Sequence, residues 1–403
     1  MIFNSRQQKS NTHHQQPGRA ISIRWLALTS AISVANPFYS QLLLPQIEVD
    51  FNLEPGGVLL IPMVTLIGMA VGFQLLLPLG DIVQRKTMLM TLAVGMGLTC
   101  IGVATAPNFA SLLIIFWAMG LTALIPSLLP ATVSALTPKQ YRGQVLGILL
   151  SGTFSGIIIA RSICGIVAQS WGWKSVYILA AIGMLGTALI FKVVVPEENM
   201  RHKTSYWALQ QSLLLLWKQH SDLRLSCKIN TLLFSCYLGI WSLLPLLLSG
   251  SPWKFGPGLI GTFGFLGLGS ILAAPLIGRL IDRFGCEAIV KSGISTCLLG
   301  ITIMVILKNH LPALVAGIIA LDLGFKSSNI ANQTRIQLLD TSAGSRMNGQ
   351  YFMLSYVGAA IFSGLIVLIW KQWEWTGSCC IMLLMILIAL LIEKTDGNRI
   401  RSV

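Results

Sequence analysis

The sequence predicts an all-α membrane protein, with twelve transmembrane helices in two pseudo-symmetric six-helix bundles. Three observations predict it. Of its 403 residues, 54% are hydrophobic and 10% charged, whereas a soluble domain carries about 25% charged. The apolar residues gather in runs of about 20, the length that crosses a bilayer as a helix. A short acidic-basic turn also occurs twice, half a chain apart: Pro78-Leu-Gly-Asp-Ile-Val-Gln-Arg-Lys86 and Gly278-Arg-Leu-Ile-Asp-Arg-Phe-Gly285. Each copy follows one long apolar run and precedes another, as a duplicated unit would.

In chain order, residues 1–21 are polar, include His13 and His14, and read as a disordered cytoplasmic tail. The first six spans fall near 22–44, 57–78, 88–106, 109–135, 143–168 and 175–195. Ser33-Val-Ala35 has the form of a signal-peptidase site, but the apolar run continues past it, so the first helix reads as uncleaved. Residues 196–227 link the halves. Within them Tyr206, Leu209, Leu213, Leu216 and Trp217 recur at helical spacing, predicting an amphipathic helix on the cytoplasmic surface. The second bundle, 228–392, has spans near 228–248, 258–277, 288–307, 312–338, 347–370 and 377–392, and 393–403 form a basic tail.

The net charge of +14 invites a nucleic-acid partner. That reading fails, because the bases lie in short loops between spans, where they set orientation. Arg85, Lys86, Lys139, Arg142, Arg279, Arg283 and Arg346 fall on one side with both tails. Only Lys174, Lys254, Lys308 and Lys371 fall on the other, where the first loop carries Glu48, Asp50 and Glu54. The excess predicts that both termini are cytoplasmic. Trp171, Trp173, Trp253, Trp370, Trp373 and Trp375 cluster at the outer ends, where interfacial anchors are expected. The eight cysteines form no CxxC pair, so neither a metal site nor a disulfide is expected. No GxxxxGK[ST] loop is present to bind ATP, and no nucleophile–base set suggests an enzyme. No cofactor is expected.

Two six-helix halves with Gly/Asp/Arg turns after helices 2 and 8 resemble the major facilitator superfamily, over nearly the whole chain after the tail. Ala35-Asn-Pro-Phe-Tyr-Ser-Gln41, Ser151-Gly152 with Ala160-Arg161, Leu321-Asp-Leu-Gly324 and Asn332-Gln-Thr-Arg335 resemble its proton-coupled drug and sugar efflux branch. The turns depart from the family pattern. Leu77 stands where a glycine is usual in the first copy, and Cys286 and Glu287 replace bases in the second. The resemblance implies that Asp81 comes toward the start of helix 11 and Asp282 toward helix 5. A helix N-terminus stabilises a nearby carboxylate. Asp81, Arg85, Lys86, Gly278, Asp282 and Arg283 then form a conformational latch at the cytoplasmic side; the alternative is a solvated turn. The location implied is a bacterial inner membrane.

Three charges fall well inside spans, away from their ends: Arg161, Asp322 and Lys326. A charge inside a membrane is costly unless paired or wet, so each is a functional candidate. Asp322, Lys326, Asn329 and Gln333 share one face of helix 10 by their spacing. The resemblance implies that helices 1, 4, 7 and 10 line a central cavity. Asn36, Tyr39 and Gln41 are then candidates on helix 1, beside Ser33 and Ser40, and Tyr237 and Trp241 on helix 7 could stack an organic solute. A self-neutralising Asp322–Lys326 pair is the structural alternative, and helix packing is the alternative for the others. Gly147, Ser151, Gly152, Ser155 and Gly156 put small residues on helix 5, predicting close helix contact. The function expected is secondary transport: export of a small organic solute exchanged for protons. Uptake of a small anion held by Arg161 and Lys326 is the alternative, and a non-transporting sensor a remote one. Two halves folding on each other suffice for a monomer in the bilayer.

Overall fold

A computed structural model describes residues 17–54, 56–137, 142–197, 205–339 and 344–401. Among these described residues thirteen α-helices follow in order: α1 Pro17–Asp50, α2 Leu60–Leu75, α3 Arg85–Thr105, α4 Phe109–Thr122, α5 Ile125–Leu136, α6 Arg142–Trp171 and α7 Trp173–Val194, then α8 Tyr206–Gln219, α9 Ser221–Ser249, α10 Pro257–Thr262, α11 Leu268–Ile306, α12 Leu311–Leu339 and α13 Gly344–Arg401. No strand occurs among the described residues.

Ten stretches among them are long and apolar enough to cross a membrane. One, Pro257–Ile306, is 50 residues long and breaks at Gly285 (φ 82°, ψ 160°), so it holds two crossings. α1 is 34 residues long but carries Asn36, Tyr39, Ser40 and Gln41, which dilute its hydropathy below the other ten. With α1 and the two limbs of α11, the crossings number twelve, as the sequence predicts.

Several boundaries differ from the sequence expectation. The fourth span is two helices, α4 and α5, parted at Ala123 and Leu124. Pro126 lacks an amide hydrogen and disfavours helical geometry just before itself, so a break there is natural. The eighth span starts where expected, as the short α10 and a 3-10 turn, but runs later. The segment 278–284, read from sequence as a turn, is helical; the chain reverses only at Gly285, whose positive φ favours glycine. The first copy is a 3-10 turn over Leu77–Asp81. The repeats therefore share charge and position but not backbone shape. The last two spans form one run, α13, interrupted at Glu374 (φ 44°).

Each half packs in the same pattern. In the first, Gly152 and Gly156 bring α6 against Ala27 and Ala31 of α1, as the small-residue stripe predicts. In the second, Gly358 of α13 lies against Thr231 of α9. The halves meet along α2 and α13, where Phe73 lies 5.2 Å from Tyr356 and 6.0 Å from Phe352 between ring centroids. They meet again where α6 crosses α10: a Cβ on Gly165 would stand 2.4 Å from the Pro257 carbonyl.

α8 buries Leu209, Leu213 and Leu216, the expected stripe. They pack on protein rather than lipid. Leu216 joins Leu223, Cys227, Ile336, Met347 and Tyr351 in a small core. The helix is also tied to both halves. The Gln210 amide donates to the Gln74 carbonyl at 2.9 Å, and Gln350 donates to the Leu213 carbonyl at 2.6 Å. The outer tryptophans divide. Trp171 and Trp373 are exposed, as membrane anchors would be, but Trp173 and Trp375 are buried, and the Trp375 indole donates to the Met304 carbonyl. Their spacing from the span ends does not reveal which way each ring faces.

Candidate functional site

A cavity of about 750 Å³ lies between the halves. Its wall takes Val34 and Phe38 from α1, Thr153 and Ile157 from α6, Phe234 and Tyr237 from α9, Lys326, Asn329 and Gln333 from α12, and Phe352 and Tyr356 from α13. It reaches Leu77, Arg85, exposed Gln337 and Arg346, at the end of the bundle that carries Asp81 and Asp282. α8 contributes Leu209 and Leu213 there.

The opposite end is shut by contacts between the halves. Lys371 pairs with Glu54 at 2.6 Å. The Gly258 amide donates to the Gln169 side chain at 3.1 Å, and the Ser162 hydroxyl donates to the Gly261 carbonyl at 3.3 Å. Trp370 lies against Gly56. Glu54 is held below the ordinary carboxylate range by its hydrogen bond and charge pairing with Lys371. Glu48, in the last turn of α1 beyond the apolar run, is pushed up by burial, opposed by the Gly56 amide.

Of the residues expected to line a cavity, Lys326, Asn329, Gln333 and Tyr237 do so. The Lys326 ammonium stands 5.9 Å from the Tyr237 ring centroid and 6.0 Å from that of Phe325. Those two rings stack at 4.5 Å and 17°. Gln333 donates to Asn329 at 2.5 Å, and Asn329 donates to Asn230 of α9 at 3.0 Å. This ties the polar stripe of α12 to its neighbour.

Asp322 is placed differently from expectation. It is 2% exposed and absent from the cavity wall. Its carboxylate takes the Ser270 hydroxyl of α11 as hydrogen-bond donor, and no ion pair joins it to Lys326. Four residues turn a helix about 40° past a full circle, enough to send Asp322 toward α11 and Lys326 toward the cavity.

The polar residues of α1 are also redirected. Asn36 is buried in the first half, donating to the Ile32 carbonyl at 2.9 Å and approached by the Cys100 thiol. Ser33 and Ser40 donate to carbonyls of their own helix. Tyr39 meets Tyr177 of α7 edge-on at 6.2 Å. Gln41 and Trp241 line a small separate crevice with Pro245 and Ile260. The face of α1 toward the cavity is Val34 and Phe38, so the polar stripe serves packing within the half.

At the open end, Asp282 and Arg283 are exposed, and Arg283 lies 5.0 Å from the Phe284 ring. Gly278 has open space around it. Lys86 pairs with Glu197, just beyond α7, at 3.2 Å. Arg85 is half-buried in the cavity wall. The side chains of Asp81 and Arg161 lie outside the described residues, as do residues 1–16 of the tail. Sequence reasoning missed Phe325, Phe352, Tyr356 and Ser270, and counted Arg346 only for orientation. Aromatic rings inside apolar spans carry no signal of their own.

The Major Facilitator Superfamily family model matches residues 26–364. The chain belongs to that superfamily. It is 27% identical over 359 residues to the "Probable transporter SCO4007" of Streptomyces coelicolor, spanning 88% of this chain and 83% of that one. It is 26% identical over 358 residues to the "Uncharacterized transporter YgaY" of Escherichia coli O157:H7, spanning 88% and 90%. A shorter match, 28% over 220 residues and 52% of each chain, is to the "Multidrug resistance protein MdtG" of Klebsiella pneumoniae. Among solved structures, the POT family transporter PepTSo superposes with a TM-score of 0.76 at 11% identity, covering 95% of this chain and 98% of that one. That likeness carries the fold and nothing about substrate. The chain is thus a multi-pass transporter of the secondary kind.

Proposed function

We propose that this transporter exports a small organic solute in exchange for protons, by alternating access, across a bacterial inner membrane with both termini in the cytoplasm. The observation that carries the alternating-access reading is the cavity between the halves, reached from one end and sealed at the other by Glu54–Lys371 and the α6–α10 contact. The opposite state would open the sealed end and close the end carrying Asp282.

The orientation rests on Arg85, Arg279, Arg283 and Arg346 standing at the open end, which the inside rule makes cytoplasmic. On that assignment the cavity faces the cytoplasm. Asp81 and Asp282 then act as latches that engage the starts of α13 and α6 when this end closes. The export direction is supported by the partial likeness to the protein named for multidrug resistance.

The proton site is Asp322. In this conformation its buried carboxylate is held by Ser270. A movement of α11 against α12 that removes this donor leaves a charge in a dry site, where it is costly. Taking up a proton removes that cost, so opening and proton binding become linked.

Purified protein in liposomes with an imposed pH gradient tests this reading. Solute should leave the compartment equivalent to the cytoplasm while protons enter it. Flux in the same direction as the protons would instead establish uptake, and flux indifferent to the gradient would remove the coupling.

A further inference from the structure

We propose that the solute is an organic anion carrying a flat aromatic ring, its charge held by Lys326 and its ring laid on Tyr237 and Phe325; this rests on the transport reading above. Three charged side chains are described in the cavity wall, Arg85, Lys326 and Arg346, and all are cationic. No described lining residue is acidic. A cavity lined by one sign of charge between apolar walls concentrates ions of the other sign.

Depth distinguishes the three. Arg85 and Arg346 flank the mouth with Gln337. Lys326 lies eleven residues earlier on α12 than Gln337, which is about 16 Å deeper at 1.5 Å per residue. A solute would meet the mouth cations first and Lys326 last. A buried charge needs a partner of opposite sign. A cationic solute would find none among the described residues at this depth, because the acid of α12, Asp322, is turned onto Ser270.

The apolar surface beside Lys326 is aromatic and continuous. Tyr237 and Phe325 stack, Phe234 lies 5.8 Å from Phe325 and 5.2 Å from Tyr356, and Tyr356 meets Phe73 across the boundary between halves. Rings prefer offset-stacked or edge-on partners, and this shelf offers both. The cavity volume falls within the range of about 300–1,000 Å³ usual for small-molecule sites.

The probes are naphthalene-2-sulfonate, naphthalene-2-sulfonamide and 2-naphthylmethylammonium, which share a ring and differ in charge. Each is titrated calorimetrically into the purified full chain, against protein-free micelles. The sulfonate should bind at least tenfold more tightly than either other probe. Lys326→Gln should remove at least nine-tenths of that preference, Lys326→Arg should keep it, and Lys326→Glu should transfer it to the ammonium. Unchanged melting temperatures establish that the variants are folded, and Lys326→Arg serves as the folded control if Lys326→Gln is not.

Equal or tighter binding of the ammonium overturns the proposal. So does sulfonate binding that ignores Lys326→Gln, and so does no sulfonate binding at millimolar concentration. Flux in liposomes separates the two readings. Sulfonate that binds through Lys326 but never crosses defeats the transport reading and leaves the anion site standing. Flux of the ammonium alone does the reverse.

Discussion

Ser270 of α11 donates its hydroxyl to the carboxylate of Asp322 on α12, so this buried acid faces a neighbouring helix while Lys326, one turn on, faces the cavity. Asp322 and Lys326, two of the three charges on α12, are thereby given separate surroundings. One is set against α11, the other against the cavity between the halves. On the proton-coupled reading proposed above, coupling between them passes through the position of α12 relative to α11, not through a direct ion pair.

Asp322→Asn is expected to abolish gradient-driven accumulation while leaving solute exchange at zero gradient at least partly intact. Ser270→Ala keeps the acid and removes its donor. It should shift the pH dependence of transport without abolishing the response to a gradient. Uphill transport by Asp322→Asn liposomes would remove Asp322 as the proton carrier.

The number of crossings was legible because each apolar run has its own length and punctuation. The stripe Lys326, Asn329 and Gln333 was legible because charge and amide at helical spacing inside an apolar span mark one face. The direction of Asp322 was not, since about 40° of rotation separates two different neighbours and only tertiary packing chooses between them. The stripe on α1 misled for another reason. Ser33, Asn36 and Ser40 satisfy their polar atoms largely on their own helix, so their polarity says nothing of solvent or solute. The cavity's aromatic wall was hidden because Phe73, Phe352 and Tyr356 differ in no way from rings that merely fill a core.

A second buried pair makes a stability prediction. Arg335 of α12 binds Glu393 of α13 through two hydrogen bonds, at 2.8 and 3.3 Å, and Glu393 is 0% exposed. Removing one partner strands the other charge, which costs about 3–5 kcal/mol in buried pairs. Glu393→Gln should therefore lower the thermal midpoint clearly. Replacing both, Arg335→Met with Glu393→Leu, should recover much of the loss, because the stranded charge is gone. A double variant no more stable than Glu393→Gln would show that the pair has a role beyond mutual neutralisation.

Glu48 predicts the opposite behaviour. Its Oε2 is buried without a hydrogen-bond partner, and burial raises its pKa above the ordinary value. A carboxyl that holds its proton more tightly when folded favours the folded state at low pH. That contribution fades as pH rises through the folded value. Once ionised, Glu48 is therefore a poorly solvated charge in the folded state. Glu48→Gln should raise the melting temperature at pH 7, and the gain should vanish below the ordinary carboxylate range. A loss of stability at pH 7 would show that the charge is compensated in some other way.

The sealed end gives the last prediction, and its sign is different again. Lys371 holds Glu54 below the ordinary carboxylate range, so their pairing is fully present above that range and is lost as pH falls through the lowered value. Both side chains are well exposed, so the pair alone contributes little. Its importance is positional, since it joins the halves at the end that would part in the proposed opposite state. Acid should therefore favour opening there. A single Cys placed at Val34, in the cavity wall, reports this when an impermeant thiol reagent is applied from the Glu54 side. Scaled at each pH to a fully exposed control cysteine, because the reagent attacks the thiolate, labelling should be slow at pH 7 and faster once Glu54 is protonated. Lys371→Gln should label faster at pH 7 and lose most of the pH response. If labelling of Lys371→Gln matches the wild type at both pH values, the seal is made by Gln169–Gly258 and the close approach of Gly165 to Pro257. The ion pair would then be an ornament of the closed state rather than a part of its lock.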